Sequence, residues 1–280
     1  MILESIVNKS PIVKGWSGDQ KYCAVTADGT KYLLRVSPID RLERKRREYE
    51  KMREVSQLDI PMCLPVEFGI CDEGVYSIQS WIDGVDAEDA MMAMRPEQQY
   101  SYGLDAGRIL ASIHTIPAPA NAPDWEIRFN AKIDRRIAMY ENCELKYDGG
   151  GDLFLAYLTR NRHLLKDRPQ SYQHGDYHIG NMMIDSHGVL TIIDFDRDDL
   201  AIPGRNLTVL SGARKQRRLL LPVWWMATLA AISRWNSGNC LLFTSAQILS
   251  VRFHGQCPLE RDKFRSCGSR LRRCWNGMTE

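Results

Sequence analysis

Short apolar runs bounded by turn residues fill the first eighty positions, interrupted by one charged helical stretch; longer segments with helical spacing follow. Pro11 to Val13 and Lys21 to Thr26 read as strands flanking a glycine turn, Gly15-Trp16-Ser17-Gly18-Asp19. Asp28-Gly29 is a hairpin signal, so Lys31 to Val36 reads as the third strand. Ile39 to Val55 is charged and helical, with Leu42, Tyr49 and Met52 on its buried face. Leu64 to Gly69 and Val75 to Gln79 read as two further strands, and Ser80-Trp81-Ile82-Asp83-Gly84 as a hinge. Pro96 to His114 reads as a long helix burying Leu104, Gly107, Ile109, Leu110 and Ile113, closed by Pro117 and Pro119. His114 reads as a packed or capping histidine. Asp124 to Tyr147, with Ile127, Ile133, Ile137 and Tyr140, reads as a helical insertion, and Asp148-Gly149-Gly150-Gly151-Asp152 as a loop. Met182 to Ile184 and Val189 to Ile193 form a hairpin around Asp185-Ser186-His187-Gly188.

That hairpin connects the residues that carry chemistry. His174-Gly175-Asp176-Tyr177-His178-Ile179-Gly180-Asn181 precedes it, and Ile193-Asp194-Phe195-Asp196 closes it. Asp176 and Asn181 keep the spacing of a kinase catalytic loop, and Asp194 opens the second kinase motif. Phosphoryl transfer needs an acceptor hydroxyl held in line and cations to neutralise phosphate charge. Asp176 would orient the hydroxyl and accept its proton. Asn181 and Asp194 supply hard oxygen ligands suited to Mg2+. The hairpin would return Asp194 to the side of Asn181.

An N-terminal nucleotide lobe is the natural companion of such a centre. The glycine turn, with Ser17 at its middle, would let backbone N–H groups approach phosphate; a plain hairpin turn is the other reading. Arg35 stands where a kinase strand carries its phosphate-binding lysine, and a guanidinium keeps that role. Glu48 or Glu50 would face Arg35, and Glu48 is preferred because it lies four residues before Met52. Lys45, Arg46 and Arg47 read as surface charges. Backbone groups near Trp81 and Ile82 would meet adenine, with Trp81 either covering the base or simply filling the core.

Together Gly15 to Asp19, Leu33-Leu34-Arg35, Leu110-Ala111-Ser112-Ile113-His114, His174 to Asn181 and Ile193 to Asp196 resemble the aminoglycoside phosphotransferase family over residues 1 to about 199. The resemblance implies an α+β, bilobal, protein-kinase-like fold with an N-terminal antiparallel sheet lobe and a mainly helical C-terminal lobe. It also implies ATP or GTP as donor, Mg2+, and a hydroxylated small molecule as acceptor. It carries Asp176 over as catalytic base, Asn181 and Asp194 as metal ligands, and Arg35 as phosphate contact. Members acting on macrolides, choline or homoserine keep the acceptor open, and a non-catalytic nucleotide-binding remnant is the reading from another class. The expected division is 1–82 nucleotide lobe, 83–199 catalytic lobe, and 200–280 aberrant tail.

The tail changes character. Residues 200–280 hold eleven Arg and two Lys against one Asp and two Glu, a net of +10; the whole chain carries +2, so residues 1–199 carry −8. Such a step ordinarily suggests nucleic-acid binding. Read back one base earlier, however, the codons for Leu200 to Leu210 can yield Phe-Gly-Asp-Pro-Trp-Glu-Glu-Phe-Asn-Arg-Ile, an acidic, aromatic helix start similar to what the family carries there. The stretch from Arg217 to Cys240 also gives a family-like reading. A single lost base after Asp199 is the preferred reading of the tail, a divergent native C-terminus being the other, and on the preferred reading the arginines are no sign of a nucleic-acid partner. The apolar run Leu219 to Ile232 is shorter than a membrane span of about 20 residues. Four of the eight cysteines lie in the tail and none forms a C-x-x-C pair, so no zinc framework is expected. Unpaired thiols and the lack of a secretory pattern at Met1 to Ser10 point to a cytoplasmic protein without a membrane partner.

Overall fold

The computed structural model describes residues 1–13, 18–142, 151–197 and 199–202. They form two compact units, one of residues 1–117 with 172–199, the other of residues 118–171 with 200–202.

The first unit opens with a helical turn, α1 (Ile2–Ser5), and a five-stranded sheet. Its strands are β1 (Ile6–Pro11), β2 (Gln20–Thr26), β3 (Lys31–Ser37), β4 (Pro65–Cys71) and β5 (Gly74–Ser80), in the order β1-β2-β3-β5-β4, all antiparallel. The Asp28-Gly29 hairpin forms as the sequence indicates. Gly29 adopts φ +85°, Thr26 N donates to the Thr30 carbonyl, and the Asp28 carboxylate accepts from the Thr26 hydroxyl and the Thr30 amide. Period-two alternation sorts the faces. Ala24, Leu34, Val36, Tyr76 and Ile78 build a core on one side. Lys21 and Arg35, paired directly across β2 and β3, lie on the other with Ser37.

Helix α2 (Leu42–Ser56) follows a short 3-10 turn at Ile39–Arg41. It buries Glu48, Met52 and Val55, while Glu50 is exposed. Tyr49 lies 5.2 Å from the Phe68 ring of β4, so this helix packs on the sheet. After β5, Trp81 and Ile82 are half-buried and lie outside the ladder, and β6 (Gly84–Asp86) pairs with the later hairpin. Helices α3 (Ala87–Ala90) and α4 (Pro96–Ile113) come next. α4 buries Gly103, Ala106, Gly107, Ile109, Leu110 and Ile113, and His114, at its C-cap, is buried as the sequence suggested.

Strand β7 (Ser171–Gln173) leads into the motif region, and β8 (Met182–Asp185) and β9 (Leu190–Ile192) form the expected hairpin. Gly188 takes φ +79°, and Asp185 accepts from the His187 and Val189 amides across the turn. On its far side β9 is held by residues 61–63: Ile192 N donates to the Pro61 carbonyl, and Cys63 N to the Ile192 carbonyl.

The second unit carries α5 (Trp125–Glu141) and α6 (Gly151–Arg160). Asp124 caps α5 by accepting from Ile127 N. Its buried face is Trp125, Phe129 and Ile133, packed with Leu158, Leu165, Ala201 and Ile202. Ile127 is 72% exposed and does not belong to that face, because the stripe is set by Trp125 two residues earlier. The helix stops at Glu141, short of Tyr147, and Gly151 and Asp152 open α6 instead of belonging to a loop. Residues 143–150 lie outside the described residues, as do 203–280, including the apolar run Leu219 to Ile232 and the four tail cysteines. Among the described residues Cys23, Cys63 and Cys71 are free thiols, and no helix is long and apolar enough to cross a membrane.

Candidate active site

The motif residues converge within the first unit. Asn181 sits in the 3-10 turn Ile179–Asn181 that precedes β8. Its side-chain amide donates to the Asp176 carbonyl at 2.9 Å, and its own carbonyl accepts from Ile193 N at 3.0 Å. The hairpin therefore returns the residue before Asp194 onto Asn181, as the sequence required. The fully buried His174 closes the same junction: its Nε2 meets the Ile193 carbonyl at 3.0 Å, and its ring lies edge-on to Phe195 at 4.7 Å. A carbonyl can only accept, so Nε2 carries the proton. Burial pushes the His174 imidazole down to about 4. Asp194 is held at φ +69°, a left-handed conformation uncommon for a non-glycine residue. Tyr177, also fully buried, donates its hydroxyl to the Ala106 carbonyl of α4 at 2.6 Å, anchoring the loop to that helix.

Asp176 presents a partly exposed carboxylate between two basic groups. Arg197 Nη2 lies 3.1 Å from its Oδ2 and His178 Nε2 3.6 Å away. His178 Nδ1 accepts from Gly180 N, which leaves the proton on Nε2, toward Asp176. Contact with His178, aided by Arg197, holds the Asp176 carboxyl below the usual carboxylate range. Gly175 takes φ +79° where the Arg197 side chain crosses it; a Cβ there would lie 2.8 Å from Arg197 Cβ.

Arg35 reaches across from β3. Nη1 bonds Asp194 at 2.9 Å, Nη2 bonds Asp19 at 2.9 Å, and Nη2 lies 3.4 Å from Asp196. Burial opposes its charge, but Asp194, Asp19 and Asp196 override that and hold its pKa above the ordinary value. Asp196 is raised, chiefly by burial and then by the nearby Asp194. Lys21, across the ladder from Arg35, is lowered by burial and by that like charge.

Two sequence expectations are corrected here. Glu48 is buried, as expected, but it does not pair with Arg35. Its Oε1 accepts from Arg44 at 2.6 Å and its Oε2 meets Lys45 at 2.9 Å. Both partners lie on its own helix, one turn earlier, and each holds one of its oxygens. Lys45 is not a surface residue. Its side chain is 13% exposed and bridges Glu48 to Asp19. The i,i+3 spacing of Lys45 and Glu48 was a visible signal that both share a helix face. Asp19 and His178 lie within the glycine-turn and catalytic-loop motifs without a role read from them, and Arg197 carried no motif signal. Ser17 lies outside the described residues.

The family model described as "Phosphotransferase enzyme family" matches residues 10–233. The chain belongs to this family. No curated protein matches it by sequence. Solved structures do match its fold. A thermostable mutant of aminoglycoside phosphotransferase APH(4)-Ia superposes with a TM-score of 0.67 at 13% identity, covering 98% of this chain and 96% of that one. ADP-bound aminoglycoside phosphotransferase APH(2'')-Ib gives 0.68 at 14% identity, over 98% and 94%. Aminoglycoside-3'-phosphotransferase of type VIII gives 0.55 at 21% identity, over 85% and 92%. The kinase-like α+β fold, with its N-terminal antiparallel sheet lobe, is the expected one. Family membership makes the chain a phosphotransferase.

Proposed function

We propose that this phosphotransferase moves the γ-phosphate of ATP or GTP to a hydroxyl of a small molecule, with an aminoglycoside as first candidate. The observation that carries the reading is the junction of Asp176, Asn181 and Asp194, fixed by the Asn181–Asp176, Ile193–Asn181 and His174–Ile193 hydrogen bonds. Fold neighbours add support. One is a ternary complex of APH(2")-IIa with streptomycin and ATP, and one a ternary complex of APH(4)-Ia with ADP and hygromycin B. Amicoumacin kinase hAmiN was solved with AMP-PNP and Ca2+.

The residues fit a nucleotide-bound Mg2+. The Asn181 side chain commits its NH2 group to Asp176, which leaves its carbonyl oxygen as the ligand, and Asp194 adds a carboxylate. Mg2+ takes one or two such protein groups and completes its shell with phosphate and water oxygens. When bound it neutralises charge on the phosphates. Arg35 would hold the phosphates from the strand side, and Trp81 and Ile82 would flank the base. Asp176 accepts a hydrogen bond from the acceptor hydroxyl, orients it, and takes its proton as the new bond to phosphorus forms and the γ-phosphorus bond to the departing nucleoside diphosphate breaks. Its lowered pKa keeps it ionised at neutral pH, so it acts first by orientation. Cytoplasmic residence and the absence of a membrane or nucleic-acid partner belong to the same reading.

The test is turnover of ATP and GTP with Mg2+ against a panel of aminoglycosides and unrelated hydroxylated molecules, using this chain and the version with one base restored after Asp199. Acceptor-dependent nucleotide consumption with a phosphorylated product is expected from the restored chain. Nucleotide consumption indifferent to every acceptor would reject the reading.

A further inference from the structure

Asp19, the residue before β2, is a heavily bonded carboxylate of the first unit. Its Oδ2 accepts from Arg35 Nε at 3.2 Å, from Arg35 Nη2 at 2.9 Å and from Lys45 Nζ at 2.9 Å. Its Oδ1 accepts from the Ser37 hydroxyl at 2.6 Å and lies 3.7 Å from Arg41 Nη1. The side chain is 1% exposed. A buried charge is tolerable only when paired and hydrogen-bonded, and this one is served by three cations and a hydroxyl. Burial pushes its carboxyl up, yet the Ser37 and Lys45 bonds and the charge of Arg35 bring it down to about 2.

In protein kinases the strand lysine is held by a glutamate on the neighbouring helix. Here that glutamate's position is spent. Glu48 is paired with Arg44 and Lys45 of its own helix, and Arg35 turns to Asp19 instead. The choice of arginine follows from this geometry. Nε and Nη2 form one edge of the guanidinium fork and both rest on Asp19, which fixes the plane of the group. Nη1 is left to point at Asp194. A lysine has a single rotatable ammonium and would gain no orientation from such a two-point hold. Ser37, two residues along the same strand face, locks the other oxygen of Asp19.

We propose that Asp19 is the positioning residue for Arg35 in this site, replacing the helix glutamate, and that Lys45 links it to Glu48 on α2. The assignment rests on the phosphotransferase reading for its purpose: a phosphate-binding guanidinium that keeps its pose when Asp194 turns to a metal-bound nucleotide. Asp19 acts through Arg35, so its loss lowers nucleotide affinity without removing the catalytic carboxylate.

The test uses the full 280-residue chain, and the frame-restored chain beside it, with Asp19→Ala, Asp19→Asn, Asp19→Glu, Lys45→Met and Glu48→Gln. The first readout is the Kd for ATP with Mg2+. Asp19→Ala and Asp19→Asn should weaken it by about tenfold or more, the loss expected from a charge-assisted bond, with partial recovery in Asp19→Glu. Glu48→Gln and Lys45→Met should each weaken it less than Asp19→Ala. The second readout needs no nucleotide: the slowly exchanging Arg35 Nε–H resonance, identified by its loss in Arg35→Lys. It should persist in Glu48→Gln, vanish in Asp19→Ala and return in Asp19→Glu. A resonance that survives Asp19→Ala, or a larger affinity loss in Glu48→Gln than in Asp19→Ala, overturns the assignment. If the parent chains bind no ATP while the resonance behaves as expected, the phosphotransferase reading fails and the Asp19–Arg35 assignment stands.

Discussion

At the scale of single residues, the site separates two kinds of carboxylate. Asp176 faces Arg197 and His178, whereas Asp194 faces Arg35. In the proposed reaction the first would meet an acceptor hydroxyl and the second a metal-bound phosphate. In a frame-restored protein Asp176→Ala is therefore expected to lower turnover by about 10²–10⁴-fold, the usual worth of a positioned base, while ATP affinity changes little. Turnover and a nucleotide titration check both halves, and near-normal turnover would remove Asp176 from its role. Asp194→Ala should instead weaken Mg2+-dependent nucleotide binding, and an unchanged Mg2+ dependence would count against metal ligation. Two buried histidines set a pH dependence of stability. Burial pushes His114 and His174 each down to about 4. In the unfolded chain they titrate near 6.5, so between about 6.5 and 4 the unfolded state binds more protons. Stability is full above that window and falls as pH drops through it, by on the order of 3 kcal/mol per histidine. In the frame-restored protein, urea midpoints from pH 7 to 4 should show the decline, and His114→Asn should flatten it; equal slopes would deny the contribution.

At the scale of elements, the sheet and the hairpin depend on a few tight contacts. Gly74 opens β5 at φ +133°, and a Cβ there would lie 2.2 Å from the Ser37 carbonyl oxygen. The backbone cannot yield without breaking the β3–β5 ladder, which carries Arg35. Gly74→Ala is expected to destabilise by about 1–3 kcal/mol or more from backbone strain alone. Chemical denaturation of the frame-restored protein measures it, and a loss below about 0.5 kcal/mol, the range of a neutral surface change, would show that the turn relaxes freely. Turn chemistry made much of this architecture readable. Asp28-Gly29 and Asp185 to Gly188 marked their hairpins because few residues tolerate a positive φ. Helix α5 was less readable. Its isoleucine spacing suggested Ile127, but the aromatic Trp125 and Phe129 stack at 4.3 Å and determine which stripe is buried.

At the scale of the whole molecule, the charge step after Asp199 separates a −8 portion from a +10 tail. The family match runs from residue 10 to residue 233 and so enters that tail. The out-of-frame reading of residues 200–280 is our proposal, and the coding DNA decides it directly. If it holds, the intact nucleotide and catalytic motifs lack the helices meant to support them. Domain stability is only about 5–15 kcal/mol, so losing a few packed helices can exceed it. This chain should then unfold without a cooperative transition and show little turnover, while the version with one base restored after Asp199 melts cooperatively and consumes ATP. Equal melting and turnover from the two chains would refute the functional consequence of the shift.

The amino-acid sequence by itself determined strands β2 to β5, helices α2 and α4, the hairpin that returns Asp194 to Asn181, and the choice of Asp176, Asn181, Asp194 and Arg35 as candidates; it placed the first strand at Pro11 to Val13, whereas β1 is Ile6–Pro11. These follow from local rules, namely apolar spacing, turn residues with special φ, and motif intervals of a few residues. What Arg35 rests on was decided only by tertiary structure. Asp19, Asp194 and Asp196 lie 16, 159 and 161 residues from it. Glu48 lost the competition because Arg44 and Lys45, one helical turn away, reach its carboxylate first. Which buried charge pairs with which depends on distances that no interval along the chain encodes, and at a few ångströms the nearest partners win.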